Sequence, residues 1–74
     1  MTRLPTLSAR KLIQALERAG FALDRQRGSH YILIHSTKRL TTCVPVHGKD
    51  VNRALLKLIL KQAGLSEDAF QKLL

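Results

Sequence analysis

The chain has 74 residues, 45% of them hydrophobic, and its 13 Lys and Arg against five Asp and Glu leave a formal net charge of +8. This length and apolar share predict one small folded domain over residues 1–74 with a thin core, and they exclude a disordered chain. The charge, with a pI near 10.7, points to a polyanionic partner, a nucleic acid before a membrane surface, because no helical stretch carries a strongly basic face with aromatic anchors.

Residues Met1 to Leu7 have a proline and no regular period and read as a lead-in. Ser8 is a good N-cap, and Leu12, Ile13, Leu16 and Ala19 follow at helical spacing, so a helix is expected over Ala9–Ala19. Gly20 then stands where a left-handed residue ends a helix. Phe21 to Arg25 alternates as a short strand, with Phe21 and Leu23 on one face, and Gln26 to Ser29 forms the connection. A second strand is expected over His30–His35, with His30, Ile32 and Ile34 on one face and Tyr31, Leu33 and His35 on the other. His35, at the far end, reads as a surface residue.

Ser36 to Lys38 is a turn, and Arg39 to Val46 is a third strand rich in β-branched residues. The lone cysteine, Cys43, falls in that apolar run and reads as a small core residue; its solitude excludes an internal disulfide or a paired-cysteine metal knuckle. Pro45 has no N–H to give a ladder, so it belongs at an edge or a strand end. A second helix follows over Asn52–Ala63 with Leu55, Leu56, Ile59, Leu60 and Ala63 as its apolar face, widened by Leu58. Gly64 ends it, and Ser66 caps a last short helix whose Phe70, Leu73 and Leu74 can fold back on the core. The fold class is therefore α+β: α-β-β-β-α, a three-stranded antiparallel sheet with helices on one face, plus a short C-terminal helix. The other face of the sheet is left for a ligand. With no secretory apolar region and no membrane-spanning run, a cytoplasmic location and no membrane partner are expected.

The most informative run is Arg27-Gly28-Ser29-His30, directly before the apolar Tyr31-Ile32-Leu33-Ile34. It sets a turn glycine, a hydroxyl and an imidazole at the mouth of a strand. A histidine there, in a positive field, suits proton transfer beside a bound phosphate. By strand position alone, an ordinary turn before a solvent-facing histidine is the plainer reading.

Several pieces occur together and in order: a helix, Gly20-Phe21, Arg27-Gly28-Ser29-His30 opening a strand, Val44-Pro45-Val46-His47-Gly48-Lys49, and Ile59-Leu60-Lys61-Gln62-Ala63-Gly64-Leu65. In this the chain closely resembles the HicA family of toxins, from about Ser8 to Leu74. The resemblance implies a fold similar to a double-stranded-RNA-binding domain and a metal-independent endoribonuclease acting on messenger RNA. It implies a HicB-type antitoxin as partner, and His30 as the catalytic histidine. The chain departs from the family where Ala54-Leu55-Leu56 replaces the usual Gly-Thr-Leu at the start of the second helix, and at Leu58, where a polar residue is common. The departure removes a hydroxyl and a close backbone approach there, and the added leucines could enlarge an apolar patch for the antitoxin.

RNA supplies its own nucleophile, the 2′-hydroxyl, so an enzyme need only move protons and stabilise the charged phosphorane. His30 is assigned as general base, or as one group that shuttles the proton. Gly28 lets backbone approach a phosphate and Ser29 offers a hydroxyl or amide donor. Arg27, then Arg25 and Lys49, are the candidates for binding RNA and neutralising charge. His47 is a candidate second imidazole, for which a loop-anchoring hydrogen bond is the plainer role. His30, His35 and His47 lack cysteines or carboxylates at ligand spacing, so no metal and no small-molecule cofactor is expected. The rival readings are an RNA-binding module that does not cut, and a protein-interaction domain whose charge only steers an acidic partner.

Overall fold

A computed structural model describes residues 7–46 and 50–74. In chain order the elements are β1 (Leu7–Ser8), α1 (Ala9–Arg18), β2 (Ala22–Arg27), β3 (His30–His35), β4 (Leu40–Pro45), β5 (Asp50–Val51), α2 (Arg53–Ala63) and α3 (Glu67–Gln71). Strands β2, β3 and β4 form an antiparallel sheet in that order, while β1 and β5 pair as a separate two-residue ribbon. The class is α+β with the expected α-β-β-β-α layout. The ribbon is an addition to it, since two residues are too few to show a strand period.

Each helix starts on a side-chain cap. The Lys11 N–H donates to Ser8 Oγ at 3.3 Å, the Leu55 N–H to Asn52 Oδ1 at 2.8 Å, and the Ala69 N–H to Ser66 Oγ at 3.1 Å. Both long helices end alike. The Phe21 N–H returns to the Leu16 carbonyl and the Leu65 N–H to that of Leu60, each at 3.0 Å, satisfying acceptors that a helix end leaves open.

One core lies between the helices and the sheet. Leu12, Ala15 and Leu16 of α1 and Leu56, Ile59, Leu60 and Ala63 of α2 are buried against Leu33 and Val44, with Phe70 of α3 completing the cluster. On the sheet, Leu33 opposes Thr42 and Tyr31 opposes Val44, so alternation turns Thr42 and Val44 to the helices. Thr42 is the one polar residue buried among those described, and its Oγ1 donates to Gln62 Oε1 of α2 at 3.0 Å. Cys43 accordingly faces away, opposite Ile32 and half-buried. It is not the core residue that its apolar run suggests, because strand parity outranks local hydrophobicity.

His35 is a further correction. It is half-buried rather than a surface residue, and its ring meets Phe21 edge-on with centroids 5.3 Å apart. Its Nδ1 accepts from the Lys38 N–H at 3.2 Å, which braces the turn into β4. The ring lies directly over Gly20, where an added Cβ would come within 2.6 Å of Nε2 on a backbone already at φ +107°. Gly20→Ala should therefore cost about 1–3 kcal/mol, the usual range for a strained backbone site. Urea titration checks this, and an unshifted midpoint would show that the ring swings clear.

Candidate functional site

His30 is the first residue of β3 and is exposed. It opposes Arg27 on β2 and Pro45 on β4, and opposed residues project to the same side of a sheet. That side is the one away from the helices. It presents Ile32 and Ile34 of β3 with Cys43 and Thr41 of β4, all half-buried or exposed.

Arg25 and Arg27 reach this face through an irregularity in β2. Leu23 opposes Leu33 on the helix side, and simple alternation from Leu23 would send both arginines there too. The register shifts between Leu23 and Arg25, so that Arg25 opposes Ile32 and Arg27 opposes His30. Such a bulge adds one residue to one strand and reverses its parity. Arg25 and Arg27 thus lie within β2, and the expected four-residue connection contracts to Gly28 and Ser29. The Arg25 Nε sits 3.2 Å from Asp24 Oδ2, an exposed pair of little energetic weight.

The two-residue turn is shaped and held by its neighbours. Gly28 takes φ +58°, which hairpin turns of this length favour at their first central position, and no atom would meet a Cβ there within 4 Å. The backbone is therefore open to an approaching anion. The Ser29 carbonyl accepts from the Val46 N–H at 2.6 Å, and Gln26 Nε2 donates to the Gly28 carbonyl at 3.1 Å. His30, Arg27, Arg25, Gly28 and Ser29 are thus brought together at one end of the sheet. His47 and Lys49 lie outside the described residues.

Of the two leucines that depart from the family pattern, Leu55 packs against the core beside the buried Leu56, and Leu58 stands 50% exposed on α2 beside the exposed Ala54. The apolar patch is therefore narrower than the sequence suggests.

A groove not foreseen from the sequence runs on the helix side of the same sheet end. It encloses about 290 Å³ and is lined by Arg10, Ile13, Gln14 and Glu17 of α1 with Tyr31 and Val46. The spacing of Arg10, Gln14 and Glu17 places them on one stripe of α1, the only trace of the groove in the sequence.

The family model described as the HicA toxin of bacterial toxin–antitoxin matches residues 9–65, most of the chain. The chain belongs to the HicA toxin family. As a HicA-family member it is the toxin of a toxin–antitoxin pair, which implies an antitoxin as partner. The matched stretch runs from α1 to just past α2 and contains the whole cluster around His30. No curated protein matches the chain. No helix among the described residues is long and apolar enough to cross a membrane.

Proposed function

We propose that this HicA toxin is a metal-independent endoribonuclease that cuts messenger RNA. His30 takes the proton from a 2′-hydroxyl, whose oxygen attacks the adjacent phosphorus. The P–O5′ bond breaks, leaving a 2′,3′-cyclic phosphate, and the departing 5′-oxygen is protonated to a hydroxyl. His30 acts as base and then as acid in a one-residue shuttle, with His47 the candidate to share the second role. Arg27, opposite His30, and Arg25 bear on the charge that develops on the phosphorane, where fixed cations act most strongly. Gly28, Ser29 and Lys49 complete the proposed RNA contacts. A HicB-type antitoxin would neutralise the toxin by covering His30 and the basic turn.

The observation that supports this reading best is the exposed His30 paired with Arg27 on the uncovered face of the sheet, beside the open backbone at Gly28. Family membership adds to it. The test is to incubate the purified toxin with a defined messenger RNA in EDTA and to examine the fragment ends. Fragments with 5′-hydroxyl and cyclic phosphate termini are expected. Cleavage that EDTA abolishes, or fragments with 5′-phosphates, would overturn the mechanism.

A further inference from the structure

We propose that the groove between α1 and the Tyr31 end of β3 is a subsite for one unstacked RNA nucleobase next to the scissile phosphate, with Tyr31 as the stacking surface and Glu17 and Gln14 reading the base edge. The inference deepens the ribonuclease reading and rests on it for the position of the phosphate.

Four observations carry it. The first is continuity. Tyr31 directly follows His30, and successive strand side chains turn to opposite faces with Cα atoms about 3.8 Å apart. One nucleotide can therefore straddle the strand end, its phosphate at His30 and its base beneath the sheet. Val46, at the same end of the groove, donates to the Ser29 carbonyl at 2.6 Å, so groove and turn share a wall.

The second is access. Against the three-stranded sheet both long helices pack chiefly on β4, and the helix side of β2 is left largely open. Leu23 shows this: it opposes the fully buried Leu33 yet is 49% exposed. A base can enter from that side.

The third is size. About 290 Å³ falls just short of the range of about 300–1,000 Å³ for pockets that take drug-sized ligands, and suits one flat ring system.

The fourth is chemistry. Single-stranded RNA is recognised by stacking unpaired bases on aromatic or guanidinium planes and bonding their edges. Here a half-buried tyrosine stands with an acceptor-only carboxylate, an amide that both donates and accepts, and the Arg10 guanidinium. An apolar side chain of a protein partner would leave those polar groups without partners. The net charge of +8 also favours the polyanion.

The test uses the full chain carrying His30→Ala, so that RNA stays intact, and follows anisotropy of a labelled single-stranded RNA octamer. Adding Tyr31→Leu should weaken binding about tenfold, as expected for loss of one base–aromatic stack, whereas Tyr31→Phe should stay within about twofold. With His30 restored, Glu17→Gln replaces an acceptor-only group by one that also donates, and should shift the positions cut along a defined messenger RNA. Unchanged binding by a Tyr31→Leu variant of normal melting temperature would overturn the subsite. Should that variant fail to fold, unaltered cut positions in the exposed Glu17→Gln variant would do the same. Loss of antitoxin capture with RNA binding intact would make the groove a protein-docking site and also overturn it. Failure of the ribonuclease reading looks different: the wild type would bind RNA, lose affinity on Tyr31→Leu, and cut nothing.

Discussion

His30→Ala should lower the rate of RNA cleavage by about 10²- to 10⁴-fold, the usual contribution of a positioned general acid or base. The same change should leave the fold intact, because His30 is exposed at the end of β3 and outside the hydrophobic cluster. Melting temperature and cleavage therefore separate, which is what distinguishes a catalytic side chain from a structural one. His35 supplies the contrast. It is a histidine of the same strand, but it packs on Phe21 and braces the Lys38 turn, so His35→Ala should act on stability first. Gel analysis of a defined messenger RNA in EDTA, beside thermal melts of both variants, reads out the comparison. Retained cleavage by His30→Ala would move the active site elsewhere and leave the Arg27–Gly28–Ser29–His30 run as an ordinary hairpin turn.

The electrostatics of that turn depend on one irregularity in a strand. Without the register shift between Leu23 and Arg25, Arg25 and Arg27 would share the face of Leu23 and lie across the sheet from His30. With it, two guanidinium groups accompany the imidazole on the side that no helix covers. Bulges commonly re-aim side chains in this way beside functional sites. The same device protects β2, an outer strand of the three-stranded sheet, since a bulged and charged edge resists pairing with another chain.

This distinction also explains what could be read from the sequence. The caps at Ser8 and Ser66 were legible, as was the run His30–His35, because each rests on local chemistry or a strict two-residue period. His30 at the strand mouth was legible for the same reason. The extension of β2 to Arg27 was not, since polar residues in an outer strand show no hydrophobic alternation and the bulge interrupts the count. The place of Cys43 was hidden because Thr42, its polar neighbour, takes the core side once Gln62 satisfies its hydroxyl. The half-buried place of His35 is not legible in the sequence, because its partners, Phe21 and the Lys38 N–H, meet it only through the hairpin and the turn. The groove at Tyr31 is likewise a product of tertiary packing, in which α1 crosses a sheet end that its own sequence does not mention.

Phe70→Ala should be the most damaging single substitution to stability, at about 3–5 kcal/mol. Phe70 is the largest fully buried side chain described, yet it sits on α3, a helix of only five residues. A helix so short has no stability of its own and is held by what it docks. Phe70 enters the same cluster as Leu12, Leu16, Leu56 and Leu60, while Leu73 packs against that cluster and gives its carbonyl to Arg18 Nη1 at 2.6 Å. At roughly 0.05–0.15 kcal/mol per residue, a 74-residue domain is stable by about 4–11 kcal/mol, so the loss runs from about a quarter of the total to all of it. The matched family region stops at residue 65, before this helix begins. Two outcomes are therefore distinguishable by urea titration. A large downward shift of the midpoint would make α3 part of the core, and a shift worth under about 1 kcal/mol would make it a detachable cover. The packing favours the first, because Phe70 is fully buried within the cluster and its removal leaves a cavity there. Folded Phe70→Ala molecules, held at low temperature, should still cut RNA, since His30 lies on the opposite side of the sheet from that core.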